Sequence, residues 1–157
     1  MISAALVLMF TAVLFTCSGI NVEAATEGCV SAQSSEACIT KDGNTYLITG
    51  ITNNTGTVIY NSYGEQGSDA TIPASIIVNG EKMNVTAIMT GAFSKAASEN
   101  LKTITIRSHV IGTISKNAFS GISKDTVIYV PNSKLKEYKA LIRESGASNQ
   151  VESVDLI

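Results

Sequence analysis

Short runs in which apolar and polar positions alternate recur through the second half of the chain. LKTITI carries Ile104 and Ile106, and DTVIYV carries Ile128 and Val130, with one residue between the members of each pair. Alternation with a period of two is typical of β-strands that bury one face. We therefore expect these side chains to point inward from adjacent parallel strands, one above the other.

A second apolar pattern repeats along the same region. TAIMTGAFSK places Ile88 four residues before Ala92-Phe93, and TISKNAFSGI places Ile114 at the same step before Ala118-Phe119, 26 residues later. A period in the middle twenties with one strand per unit indicates a solenoid, whose units bury their apolar faces only by stacking. Both phenylalanines are therefore predicted to be core residues, and Gly121 is predicted to end a short helical turn.

Each unit also begins with two apolar residues at the same spacing. TIPASI places Ile72 and Ile76 four residues apart, and TIRSHV places Ile106 and Val110 at the same spacing, so Val110 is predicted to be buried. The first unit contains the insert VNGEKMNV, in which Asn79-Gly80 has apolar flanks. Asn-Gly in this setting predicts a tight β-hairpin.

Together these motifs resemble the BspA-type leucine-rich repeats, which occur in secreted and surface proteins of bacteria and in some protists. The resemblance rests on TIPASI, VTAIMTGAFS, LKTITI, ISKNAFSGI and IYVPNSKLKEYKALI, and it extends over about residues 71–146. It implies an α+β fold with a short right-handed leucine-rich-repeat solenoid, and a role in adhesion or protein binding. It implies no catalytic residues. Because the chain has few repeats, the binding face that it implies is small.

The residues before the repeats are predicted to cover one end of the array, because end units otherwise expose apolar side chains. Residues 25–69 are interpreted as a flexible segment followed by a β-hairpin. The hairpin is predicted from NTYLITGI and GTVIYNSY, two strand-like runs separated by TNNTG. The repeats themselves are predicted over residues 70–131.

Residues 132–157 are predicted to form the cap at the other end. Asn132 or Ser133, directly after Pro131, is suited to N-cap a helix that ends at Gly146. The apolar residues of this helix share one face: Leu135, Tyr138, Leu141 and Ile142. VESVDLI follows the helix and predicts a last strand.

The first 24 residues have the pattern of a secretory signal peptide. MISAALVLMFTAVLF has no charged side chain and is shorter than the roughly 20 apolar residues of a spanning helix. Val22 and Ala24 occupy the positions before a cleavage site, so cleavage is predicted after Ala24. Two alternatives stay open, a lipoprotein signal with Cys17 as the lipidated residue and a buried N-terminal helix. No second apolar span follows, so no transmembrane segment is expected after signal removal.

Two cysteines remain beyond the signal, Cys29 and Cys38, and they enclose VSAQSSEA. Two cysteines in an exported protein usually pair, so a disulfide is predicted. The alternative is a metal or redox pair, which the long spacing and the lack of a further ligand cluster disfavour.

Composition and charge argue against several functional classes. The net charge is -2 and the basic residues are dispersed, so nucleic-acid binding has no electrostatic basis. The single histidine, His109, lies in a loop, the acidic residues form no pair at helical or strand spacing, and no phosphate-binding loop is present. We therefore expect no enzyme, no cofactor and no metal site. KDGN, at residues 41–44, is interpreted as a turn.

The outward-facing strand positions are the predicted ligand site. If Ile72, Ile106 and Val130 point inward, their neighbours face outward. The predicted ligand-binding residues are Thr71, Thr105 and Tyr129 in one row, Thr103 in a second row with Val127, and Arg107 at the edge. Tyrosine is enriched at interfaces, although threonine and tyrosine are also good strand formers on any exposed face. The next candidate is the region around Tyr60 and Tyr63.

The function that these observations favour is non-enzymatic. The protein is predicted to be secreted or attached to the cell surface and to bind a protein or another surface macromolecule. The first alternative is a structural envelope protein without a specific ligand, and a small exported enzyme is a distant third.

Overall fold

The computed structural model describes residues 38–52, 55–64, 67–94, 98–147 and 150–154. The strands are β1 Cys38–Lys41, β2 Asn44–Thr52, β3 Thr55–Ser62, β4 Asp69–Ile72, β5 Ser75–Val78, β6 Glu81–Ile88, β7 Thr103–Ile106, β8 Thr113–Ile114, β9 Val127–Pro131 and β10 Val151–Val154. A 3-10 turn, Asn132–Lys134, leads into the helix α1, Leu135–Glu144.

The strands form two sheets. The mixed sheet has the order β1-β2-β3-β6-β5, with β8 also paired to β6. In it β1, β2 and β3 pair antiparallel, as do β5 and β6, whereas β3, β6 and β8 run parallel. The parallel sheet has the order β10-β9-β7-β4, and all its strands run in the same direction.

The chain alternates between the parallel strands of the mixed sheet and those of the parallel sheet, and so builds three stacked turns, which we call coils. The first coil contains β3 and β4, the second β6 and β7, and the third β8 and β9. The first coil was not anticipated in this form, because β3 was interpreted only as part of a hairpin. In the structure β3 is parallel to β6, with Val58 opposite Val85 and Tyr60 opposite Ile88.

The inward positions of the parallel sheet are filled by aliphatic side chains, as the alternation predicts. Five of them are fully buried: Ile72, Ile104, Ile106, Ile128 and Val130. Burying such a side chain stabilises a fold by about 1.5–3 kcal/mol relative to leaving it exposed. The outward residues between them are exposed or half-buried, so one face of the sheet remains open to solvent.

An aromatic column runs through the coils at the other wall of the core. Phe119 stacks on Phe93 with ring centroids 5.2 Å apart, and Phe93 stacks on both Tyr60 and Tyr63 at 5.6 Å. Backbone bonds join the same levels, since the Phe93 amide donates to the Ala118 carbonyl at 2.9 Å and the Tyr63 amide to that of Ala92 at 2.8 Å. Phe93 and Phe119 are therefore core residues, as predicted.

Gly121 lies at the end of a short run of turns, as predicted, with i→i+3 bonds from the Ser120 amide to the Asn117 carbonyl and from the Ile122 amide to the Phe119 carbonyl, but it is not a left-handed cap. The backbone before each Ala-Phe pair makes the sharp turn instead, with φ of 70° at Gly91 and 61° at Asn117, the equivalent residue 26 positions later. Glycine adopts this left-handed conformation freely and asparagine tolerates it. Gly121 does not have a positive φ; its amide donates to the Phe93 carbonyl at 3.0 Å and joins the third coil to the second.

The prediction for Val110 was also wrong. Val110 is 56% exposed, and the adjacent Ile111 is buried in its place. The cause lies in Ser108, which is buried and donates its hydroxyl to the Val85 carbonyl at 2.7 Å. With Ser108 and Ile111 both turned inward, Val110 between them points to solvent.

The Asn79-Gly80 hairpin is confirmed. β5 and β6 pair antiparallel with Val78 opposite Glu81, which leaves Asn79 and Gly80 as the two turn residues. Their φ angles are 53° and 84°, the positive values that a type I′ turn requires. Asp42-Gly43 makes a similar turn between β1 and β2, with φ of 50° and 77°.

The C-terminal cap has the predicted helix and strand. Tyr138 and Ile142 are fully buried on one face of α1, and Gly146, with φ of 104°, follows its C-terminus. β10 then pairs parallel with β9. The predicted N-cap is wrong, because the chain enters α1 through the 3-10 turn, whose N-cap is Pro131, and the N-cap of α1 itself is Lys134.

The predictions for the N-terminus lie outside the described residues. They are the signal peptide at residues 1–24, lipidation of Cys17 and the cysteine partner Cys29. Cys38 begins β1, and its pairing with Cys29 stays a prediction. In the part of the chain that the structure describes, no helix is long and apolar enough to cross a membrane.

Candidate binding face

The parallel sheet aligns the outward residues in the rows that the sequence predicts. Thr71 lies opposite Thr105, and Thr105 lies opposite Tyr129. β10 extends this row by one position, with Glu152 opposite Tyr129. In the second row, Thr103 lies between Asp69 and Val127.

These residues differ in how much solvent they contact. Thr71 and Arg107 are exposed, whereas Thr103, Thr105, Val127 and Tyr129 are half-buried. Because the alternate residues on the same strands are buried, this face is displayed on a fixed core. We call it the threonine face; it comprises Asp69, Thr71, Thr103, Thr105, Arg107, Val127, Tyr129 and Glu152.

Asp69 and Glu152 are the two members of this face that the sequence did not predict. The Ser68 hydroxyl donates to Oδ2 of Asp69 at 2.6 Å, and the Thr103 hydroxyl donates to its Oδ1. The bond from Ser68 and then that from Thr103 lower the pKa of Asp69, because both bonds favour the ionised carboxylate. The signal was present in the sequence, since Asp69 lies two residues before Thr71 and so shares its face.

Arg107 lies at the end of β7, where the chain leaves the sheet. Its amide donates to the Ile72 carbonyl at 2.9 Å, which continues the ladder between β4 and β7 by one residue. The following residue, Ser108, turns inward, so the Arg107 side chain stays at the rim of the threonine face. Within the described ranges its guanidinium forms no ion pair.

The threonine face presents hydroxyl groups, one phenol ring, two carboxylates and a guanidinium on a rigid sheet. Such a surface suits hydrogen bonds to a flat partner and contact with an aromatic anchor, because aromatic residues and arginine contribute disproportionately to binding energy at interfaces. His109 is exposed in the loop after β7.

In the second candidate, the N-terminal hairpin around Tyr60 and Tyr63, neither tyrosine is exposed. Both side chains belong to the aromatic column, with exposures of 0% and 4%. They are core residues of the first coil and are inaccessible to a partner. Among the described residues, no group of three histidine, cysteine or acidic side chains is placed to hold a metal ion.

No protein-family model and no curated protein matches the chain. Among solved structures, the pneumococcal vaccine antigen PcpA is similar with a TM-score of 0.38 and 16% identity, over 76% of this chain and 38% of that chain. A leucine-rich cell surface protein from Faecalibacterium prausnitzii is similar with a TM-score of 0.39 and 17% identity, over 80% of this chain and 44% of that one. The chain therefore spans less than half the length of each.

Proposed function

We propose that this chain is a non-enzymatic, secreted or surface-attached leucine-rich-repeat protein that binds a protein or another surface macromolecule through the threonine face. The observation that carries the proposal is the alignment of Thr71, Thr105 and Tyr129 in one row on an open sheet. Coils of the BspA type that display such a row are expected to form a right-handed solenoid, with β2 and β3 as its N-terminal hairpin.

The chemistry of the face supports a flat, polar partner. Tyr129 is half-buried between Thr105 and Glu152, so its ring is held in place and loses little side-chain freedom on binding. Asp69 is held by two hydroxyl donors, which orients its remaining acceptor sites. Preorganised groups of this kind lower the entropic cost of association.

The test begins with a panel of purified extracellular proteins and glycans immobilised for biolayer interferometry. For any ligand retained, Tyr129→Ala and Thr105→Lys should each weaken binding by about tenfold or more, as loss of an interface anchor does. Thr90→Lys is the matched control, because Thr90 is an exposed threonine in a turn outside the parallel sheet.

Two outcomes would contradict the proposal. Normal binding by both threonine-face variants would place the ligand elsewhere on the protein. Retention of no ligand, combined with self-assembly of the purified protein, would favour the structural envelope protein instead.

Export is the second part of the proposal. Mass spectrometry of the secreted protein should find Ala25 at the N-terminus, whereas a lipid on Cys17 would establish the lipoprotein alternative. A thiol titration of unreduced, unfolded protein should find no free thiol if Cys29 and Cys38 pair. Two free thiols would exclude the disulfide.

A further inference from the structure

Basic residues that appear dispersed in the sequence are gathered by α1 on one side. Lys136, Lys139 and Arg143 follow one another at spacings of three and four residues, and all three are exposed. Residues at these spacings share a helix face, and here they fall within about 60° of one another around the axis. We call them the cationic stripe.

The acidic residues of α1 do not neutralise the cationic stripe. Glu137 and Glu144 lie about 80–100° further round the helix than Lys136. Glu137 is bonded instead to Lys134 at 2.7 Å. Within the described residues, no member of the stripe takes part in an ion pair.

The stripe is held rigidly against the third coil. Tyr138 and Ile142, on the adjoining face of α1, are fully buried. The Tyr138 hydroxyl accepts from the Ile111 amide at 2.9 Å and donates to the Ser108 carbonyl at 2.9 Å. The backbone of α1 is therefore fixed, and the three cations advance along it by about 4.5 Å and about 6 Å.

The stripe lies at the basic end of a molecule whose charges are segregated along the chain. Among the described residues, those from 101 onward contain eight Lys and Arg against four Asp and Glu, whereas those before 101 contain two against four. Because the coils stack in sequence order, position along the chain follows position along the stack. A polyanion is therefore attracted to one end of the protein and repelled from the other.

We propose that the cationic stripe binds a linear polyanion that carries phosphate groups. Charge complementarity at a protein whose net charge is -2 requires a local site, and this line of three exposed cations supplies one. Lysine provides point charges for phosphate, and arginine provides a planar fork of donors that matches phosphate oxygens. A line of exposed cations along a helix fits a polymer that lies along the helix better than it fits a single small anion, which needs converging donors.

The test uses the full mature chain and inorganic polyphosphate as the probe, with binding measured by fluorescence anisotropy at low ionic strength. The stripe variant is Lys136→Gln with Lys139→Gln and Arg143→Gln. The control variant is Lys82→Gln with Lys116→Gln and Lys124→Gln, which removes three exposed cations elsewhere and changes the net charge equally. Circular dichroism confirms that both variants are folded.

The stripe variant should lose about tenfold or more in affinity, and the control about twofold or less, because each cation next to a polyanion contributes separately. Affinity for the unchanged chain should fall steeply with added salt, and less steeply for the stripe variant, since fewer counterions are released. Lys136→Arg with Lys139→Arg should retain binding.

Equal losses in the stripe and control variants would overturn the proposal, because they would show a response to net charge alone. The absence of polyphosphate binding by the unchanged chain would overturn it as well. Binding to vesicles of anionic phospholipid without binding to polyphosphate would assign the stripe to a membrane surface instead.

Discussion

At the scale of single residues, the core depends on a few aromatic side chains that have little freedom to move. Phe119 is 1% exposed and stacks on Phe93, and both phenylalanines follow an alanine that is also buried. The small alanine lets neighbouring backbones bond directly, as the 2.9 Å contact from the Phe93 amide to the Ala118 carbonyl shows. The aromatic ring then fills the space between the sheets.

Phe119→Ala should destabilise the protein by about 3–5 kcal/mol, because it removes a buried ring and leaves a cavity. Chemical denaturation with tyrosine fluorescence measures this loss. Val110→Ala is the matched control and should change stability by less than about 0.5 kcal/mol, since Val110 faces solvent. Comparable losses in the two variants would show that the register at Val110 and Ile111 is incorrect.

Gly64 is a second residue whose identity is fixed by its surroundings. A Cβ added there would lie 2.1 Å from the Gly43 carbonyl oxygen, which is backbone and has no rotamer to move aside. Gly64→Ala should therefore cost about 1–3 kcal/mol, as overpacking does. Gly112→Ala meets no atom within 4 Å and should be near neutral. A melting temperature unaffected by Gly64→Ala would contradict this close approach.

At the scale of elements, the sequence was sufficient to predict the parallel sheet but not the opposite side of the core. The strands β7 and β9 could be predicted because Ile104, Ile106, Ile128 and Val130 alternate with polar or aromatic residues. The position of Ile111 could not, because Val110 and Ile111 are adjacent and apolar, and only the inward bond of Ser108 decides between them. Val85-x-x-Ile88 and Ile111-x-x-Ile114 lie 26 residues apart, and this correspondence identifies Ile111 as the buried residue.

The first coil was missed for a different reason. Tyr63 occupies the place of the later phenylalanines and Tyr60 that of Ile88, but TVIYNSY has no Ala-Phe motif and resembles any half-buried strand. Their burial depends on Phe93, thirty or more residues away, and on Tyr46, whose ring meets Tyr60 edge-on at 5.4 Å. Packing between residues so far apart in the sequence produces no periodic pattern of apolar residues within a short segment.

The attachment of α1 to the third coil depends on one hydroxyl. Tyr138→Phe keeps the ring but leaves the buried Ile111 amide and Ser108 carbonyl without their 2.9 Å partner. The expected cost is about 1–3 kcal/mol. Hydrogen exchange at the Ile111 amide should accelerate most. Unchanged exchange there would show that the hydroxyl does not hold the cap.

The same hydroxyl gives the cap a dependence on alkaline pH. Burial raises the pKa of Tyr138 above its ordinary value of 10.0, so the folded state retains this proton more strongly than the unfolded state. Its contribution is complete below pH 10 and is lost as the pH rises through the higher folded pKa. The stability of Tyr138→Phe should therefore fall less between pH 9 and pH 11 than that of the unchanged chain, as measured by denaturant unfolding.

At the scale of the whole molecule, the coils act as neighbours in a stack. Tyr46 covers one end of the aromatic column, and Tyr138 and Ile142 of α1 cover the third coil. Each coil contacts mainly the coils beside it, so stability is divided between the coils and the interfaces that join them. Short stacks are cooperative when the interfaces contribute most of that stability.

Ile128→Ala in the third coil should therefore weaken the first coil as well. Truncation of a buried isoleucine costs about 2–5 kcal/mol, a large part of the 5–15 kcal/mol that stabilises a typical small domain. If the stack unfolds as one unit, hydrogen-exchange protection at Val58 in β3 should fall as much as protection at Val130 in β9. Ile72→Ala, at the equivalent position of the first coil, should give the reciprocal result. Loss of protection confined to the substituted coil would show that the coils unfold independently, and that the aromatic column between them contributes less than its continuous packing indicates.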